Sequence, residues 1–397
     1  KAYSNFRMDN IDLARDELSL ILEMFELETD EKLIILKFQA ELSLYDDDIN
    51  LALDFYEEAI RLCKKKSDKI AIYMKLINIS EKHNQIDNIV IYLDELSQIS
   101  SGTIKLDSKL DWIKYNRKLG SYIEIITEID NMLSQSEFQS IYMKLELELA
   151  KVYLDQKDFE TTKLLLSDFT SNYERKNESS EAFYHLGYIA LMEDFNLILA
   201  KDYFDLSYKD KTSSKYGKLS REMTRVIEDF IQLEEEYEFK IKNVDLDQDL
   251  ELDTNMVSNS KDLGDNILKD SNKQSIPFNR NFDAEPDSLL FTIAEKLMFD
   301  FNRNEIALEK FKILVNKFPD SKFRSQSLFV LDNFYPKQDW GYILSTEYPE
   351  SSYLNKFSDN SYDSTLSINK HDEIWDLISV SLDSVANSFY ALYENDL

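Results

Sequence analysis

Glycine is scarce in this chain: six residues in 397, where average usage of about 7% would give roughly 28. Sandwiches, barrels and doubly wound nucleotide folds need glycine in their turns, so all three are disfavoured. Gly102, Gly120, Gly187, Gly217, Gly264 and Gly341 stand apart from one another, which excludes a glycine-rich phosphate loop. The five prolines all lie at or beyond Pro277, and the first 276 residues read as a nearly uninterrupted helical array. Cys63 is alone, so neither an internal disulfide nor a cysteine-based zinc site can form. No run of 18 apolar residues is present, and hence no transmembrane helix is expected. Cationic residues are few: 46 Lys and Arg face 76 Asp and Glu, a net charge of −30. A surface of that sign disfavours nucleic acid and docking on anionic lipid.

What the chain does have is a hydrophobic content of 43%, enough for a core, and a repeat. Ile11-Asp12-Leu13-Ala14 is echoed by Ile49-Asn50-Leu51-Ala52, each after a polar turn. The same apolar entry recurs at Ile86, Tyr122, Phe159 and Leu197, with successive gaps of 38, 37, 36, 37 and 38 residues. Each unit divides in two. Ile35, Phe38, Leu42 and Tyr45 recur at helical spacing before the Asp46–Asp48 turn, and Leu51, Phe55, Ala59 and Leu62 after it. Helix, tight turn and helix make an αα-hairpin, and hairpins that cannot bury their faces alone stack into a solenoid. The small residues Ala14, Ala52 and Ala200 suit close crossing of the paired helices. An all-α superhelix of about nine antiparallel helix pairs is the expected fold.

Two units carry a family resemblance. Phe183, Leu186, Gly187, Ala190, Ala200 and Phe204 form one, and Phe291, Ala294, Met298, Ala307, Phe311, Leu314 and Pro319 the other. Both resemble the tetratricopeptide repeat, with a departure at Glu295, where the family prefers a small residue. The N-terminal units run two to four residues long and mostly lack the Gly and Pro markers. A narrower likeness lies in Phe318-Pro319-Asp320-Ser321-Lys322-Phe323 and Tyr348-Pro349-Glu350-Ser351-Ser352-Tyr353. This junction is similar to that of bacterial envelope repeat proteins, among them the outer-membrane assembly lipoprotein and the periplasmic cell-division coordinator. In such a junction proline ends one helix and the Asp-Ser or Glu-Ser that follows N-caps the next. The likeness implies a periplasmic or outer-membrane-associated location over a cytoplasmic one. The start at Lys1 leaves a signal peptide or lipid anchor upstream open.

The repeat is interrupted. A turn is due near residue 234, but Glu234-Glu235-Glu236-Tyr237 stands there, and a helix is expected from about Ser214 to Lys240. Residues 243–285 carry ten acids against Lys261, Lys269, Lys273 and Arg280, a composition that reads as an acidic flexible linker or long loop. Three parts follow: a solenoid over 1–242, the linker over 243–285, and further repeats over 286–397. Within the linker, Asp245, Asp247 and Asp249 imitate the start of a calcium loop. Leu250 replaces its glycine and Met256 its final glutamate, so a solvated linker is the better reading, ahead of a short docking strand.

A search for reaction chemistry returns little. His83, His185 and His371 lie in different units, none with a second histidine one turn away. His83 suits a helix C-terminus, His185 a packed or groove-facing position and His371 an exposed one. Trp112, Trp340 and Trp375 read as helix–helix contacts rather than a ligand cage. With 76 acids, a close carboxylate pair says nothing about catalysis. The expectation is a non-enzymatic scaffold, with no catalytic, cofactor or metal residues, that holds a basic or neutral protein segment along its first helices. The alternatives are a hydrolase or lyase with a site built on the solenoid, and a cytoplasmic regulator of the same repeat type.

Overall fold

The computed structural model describes residues 2–8, 10–24, 26–254, 284–351 and 353–354. Among them are seventeen α-helices and no strand, an all-α helical-repeat fold. It divides into two compact units, Lys1–Glu174 and Arg175–Leu397.

The first unit runs α1 (Ala2–Arg7), α2 (Ile11–Met24), α3 (Thr29–Tyr45), α4 (Ile49–Leu62), α5 (Lys66–Lys82) and α6 (Ile86–Ile99). It continues with α7 (Thr103–Leu119), α8 (Tyr122–Leu133), α9 (Tyr142–Asp155) and α10 (Phe159–Asn172), with a short 3-10 turn before α9. The second unit holds α11 (Asn177–Met192), α12 (Leu197–Asp210), α13 (Lys215–Thr254), α14 (Pro286–Phe299), α15 (Asn304–Lys317), α16 (Arg324–Phe334) and α17 (Trp340–Glu347). All six apolar entries of the repeat, from Ile11 to Leu197, are the first residues of helices.

The turn chemistry explains that regularity. After α3, Asp47 adopts φ 60°, its N–H donates to the Leu44 carbonyl at 3.2 Å, and the Asp48 N–H donates to the Ser43 carbonyl at 2.9 Å. These two bonds close the orphan carbonyls of the helix in a Schellman motif. The Asp48 carboxylate then accepts from the Leu51 N–H at 3.2 Å and opens α4. Asn84, Gly120 and Lys157 repeat the left-handed residue, with closing bonds Gln85 to Ser80, Ser121 to Asn116 and Asp158 to Tyr153. The second unit uses a variant. Phe195 and Asn302 are the left-handed residues, and the closing bonds, Asn196 to Ala190 and Arg303 to Leu297, span one residue more.

Burial corrects part of the apolar register. In α4 the buried face is Ala52, Leu53, Tyr56, Ala59 and Ile60, while Leu51 is 42% exposed; Tyr45 at the end of α3 is 55% exposed. Helices cross closely at small residues, so Ala14, Ala52 and Ala200 are fully buried and the larger Leu51 is turned away. Gly187 serves the same need: a Cβ there would sit 2.8 Å from the Phe204 ring.

Two further expectations change. The helix after Ser214 does not stop near Lys240 but runs to Thr254, because nothing in Glu234-Glu235-Glu236 breaks it. The Asp245–Asp253 stretch is therefore helical, neither a loop nor a strand, and the rest of the 243–285 segment up to residue 283 lies outside the described residues. One core of the second unit draws on both sides of that segment, joining Ile227 and Phe230 to Leu290 and Phe291. At the proline junctions Ser321 does not cap α16, whose N-cap is Phe323. Its hydroxyl instead accepts from the Phe323 N–H at 3.1 Å, forming a turn that delays the helix. Ser351 repeats this with the Tyr353 N–H at 3.4 Å. Each turn delivers an aromatic ring into a stack: Phe323 on Phe291 at 4.6 Å and Tyr353 on Phe329 at 5.0 Å.

Candidate functional site

The first helices of the N-terminal hairpins are laid side by side and joined by polar rungs. Glu41 on α3 accepts from the Tyr56 hydroxyl of α4 at 2.6 Å and from the Lys75 ammonium of α5. Glu81 on α5 accepts from Tyr115 of α7 at 2.9 Å. Arg117 on α7 donates from Nη1 to Glu148 and from Nε to Asp155, both on α9 and both at 2.6 Å. Between second helices, Tyr92 of α6 donates to Glu57 of α4 at 2.7 Å. Tyr56 and Glu41 share a hairpin; the other partners lie about one repeat apart, so those rungs tie a hairpin to the next. Burial, then the glutamate, pushes the Tyr56 and Tyr92 phenols upward and Tyr115 to about 12. Burial would lower the Arg117 guanidinium, but Glu148 and Asp155 more than offset it and hold it above its ordinary value.

A cavity of about 610 Å³ opens between α3 and α4. Lys32, Ile35, Leu36 and Gln39 line it from one face of α3, Glu58 and Leu62 from α4, and Glu26 and Leu27 from the connection before α3. Ile35 and Leu62 belong to the helical apolar pattern of the sequence, but nothing there marks these residues as one lining, because the two helices meet only once the hairpin closes.

The residues singled out by type are dispersed. His83 caps the C-terminus of α5. The His185 ring packs 5.7 Å from Tyr184 and 5.8 Å from Tyr216, and its Nε2, 3.7 Å from Glu181, makes no hydrogen bond. Trp112 is core, and Trp340 packs against the core of the second unit. His371 and Trp375 lie outside the described residues. Glu295, the departure from the repeat pattern, is half-buried on α14; burial, then the nearby Asp300 charge, pushes its carboxyl up to about 7. Among the described residues no group of three or more His, Cys, Asp or Glu is placed to hold a metal ion, and no helix is long and apolar enough to cross a membrane.

No family model and no curated protein sequence matches the chain.

Proposed function

We propose that this protein is a non-enzymatic scaffold of the tetratricopeptide type, holding a segment of a partner protein along the first helices of its hairpins. The observation that carries this reading is the set of rungs from α3 to α5, α7 and α9 through Glu41, Glu81 and Arg117. They keep four helices in register as one continuous face, the kind of extended surface that stacked hairpins offer a peptide. A net charge of −30 selects a basic or neutral segment and speeds its approach. The paired aromatic–Pro–acid–Ser junctions, alike in geometry at Ser321 and Ser351, support a place among envelope repeat proteins.

Pull-down from a lysate, followed by association kinetics, tests the reading. The captured proteins should carry basic segments. Their on-rates should fall as salt rises, since the Debye length shrinks from about 10 Å at 0.1 M to about 3 Å at 1 M. Acidic captured proteins, or on-rates indifferent to salt, would contradict it.

A further inference from the structure

We propose that the cavity between α3 and α4 is an anchoring site for one lysine or arginine side chain of a partner peptide, flanked there by apolar residues. This rests on the scaffold reading and names the partner's chemistry at one point of it.

The cavity, at about 610 Å³, falls within the range of roughly 300–1,000 Å³ typical of ligand sites. Its walls are of two kinds. Leu27, Ile35, Leu36 and Leu62 supply an apolar lining, while Glu26, Glu58, Gln39 and Lys32 supply polar groups. A long basic side chain matches both, with an aliphatic stem for the leucines and isoleucine and a cationic head for the carboxylates.

Four glutamates on or just before this hairpin, Glu26, Glu41, Glu57 and Glu58, divide by whether their side chains are already engaged. Glu41 and Glu57 are occupied by Tyr56 and Lys75 and by Tyr92. Glu26 and Glu58 are exposed and, among the described residues, make no ion pair or hydrogen bond. Lys32, the single cation of the lining, is likewise without a partner among the described residues. The lining is therefore one unit negative and carries two free acceptors for a cation. A carboxylate-bearing ligand would meet Lys32 but also both glutamates, and the balance goes to the base.

Because Glu26, Glu58 and Lys32 are exposed, substituting them leaves the core intact. The experiment uses the full chain, fluorescence anisotropy and a labelled twelve-residue peptide with Leu-Arg-Leu at its centre in an otherwise Gly-Ser sequence. A second peptide carries Glu in place of Arg. The double variant Glu26→Gln, Glu58→Gln should weaken the arginine peptide roughly fivefold or more at 0.05 M salt, and Lys32→Glu should tighten it. The differences should shrink at 1 M salt, and circular dichroism should be the same for all variants. Preference for the glutamate peptide, or no binding of the arginine peptide by the parent, overturns the proposal. Equal affinity for the arginine peptide in all variants also overturns it and moves the contact elsewhere on the array, leaving the scaffold reading intact. The scaffold reading itself fails separately, in the pull-down.

Discussion

The two compact units are built from the same hairpin and stabilised by different means. In the first, the described core breaks into successive clusters, one around Ala14 and Phe38, one around Tyr56 and Leu76, one around Ile113 and Ile129. Polar rungs join neighbouring hairpins. In the second, a single core runs from Tyr184 to Leu344, and aromatic contacts such as Phe230 on Phe301, Phe291 on Phe323 and Phe329 on Tyr353 tie its helices together. A segmented core couples each hairpin only to its neighbours, so stability there is a sum of local terms. A continuous core couples all its helices, and a defect in one place is felt throughout.

The largest expected effect breaks the continuous core. Phe230 is 1% exposed and meets Phe301 edge-on at 4.9 Å. Phe230→Ala should cost about 3–5 kcal/mol. Hydrogen exchange should rise together across α11 to α16, while α3 to α6 keep their protection. Exchange confined to α13 and α14 would show that the second unit is as segmented as the first.

The matching defect in the first unit is Arg117→Ala. It leaves Glu148 and Asp155, 8% and 14% exposed at their side chains, without the cation that offsets their burial. Lys151, 3.0 Å from Glu148, softens the loss, so about 2–3 kcal/mol is expected. Exchange should rise in α7 and α9 and leave α3 and α4 as they were. A uniform rise across α2 to α10 would refute the idea of local coupling.

Third in size is a pH effect confined to the second unit. The Glu295 carboxyl, raised by burial and by Asp300 to about 7, binds its proton more tightly folded than unfolded. Its contribution is fully present below about pH 4.5, the unfolded value, and is lost as pH rises through about 7. The groups facing it are Asp300, itself paired with Lys296 at 3.1 Å, and Tyr353. Glu295→Gln should therefore match the parent near pH 4.5 and exceed it by roughly 2 kcal/mol at pH 8, after discounting for partial exposure. Denaturant titrations at both pH values check this; a gain at pH 4.5 and none at pH 8 would invert the sign.

How far the sequence exposes these differences depends on the range of the interaction. Helix starts were legible because each turn is local: a left-handed residue with an apolar entry two positions on, and a capping side chain between them at Asp48, Asp158 and Asn196. The buried faces were legible only in part. Large apolar residues such as Leu51, Leu164 and Ile198 face outward, while the alanines at the crossings weigh little in any hydrophobic pattern. The rungs were hidden, since Arg117 finds partners 31 and 38 residues away among 76 acids. The cavity was hidden for the same reason, with Glu26 and Glu58 brought to one opening by a hairpin whose interior angle no local pattern records.

The smallest effect separates the two kinds of turn. Lys157 holds φ 60°, is exposed and, among the described residues, has no side-chain hydrogen bond, ion pair or ring contact to repay the strain of a left-handed lysine, about 1 kcal/mol. Lys157→Gly removes that strain and forfeits some stability through the freer unfolded chain. A net gain of about 0.5 kcal/mol is expected. Phe195 occupies the corresponding position of the second unit at φ 46°, but its ring lies 6.1 Å from Phe301 and 4.8 Å from the Arg303 guanidinium. There the ring contacts outweigh the strain, and Phe195→Gly should destabilise by about 1–3 kcal/mol. Denaturation midpoints of the two variants should thus move in opposite directions. If both rise, the left-handed strain dominates in each unit and Phe195 is no part of the second unit's core. If both fall, the lysine turn carries a contact of its own, and the distinction between the two kinds of turn is one of length alone.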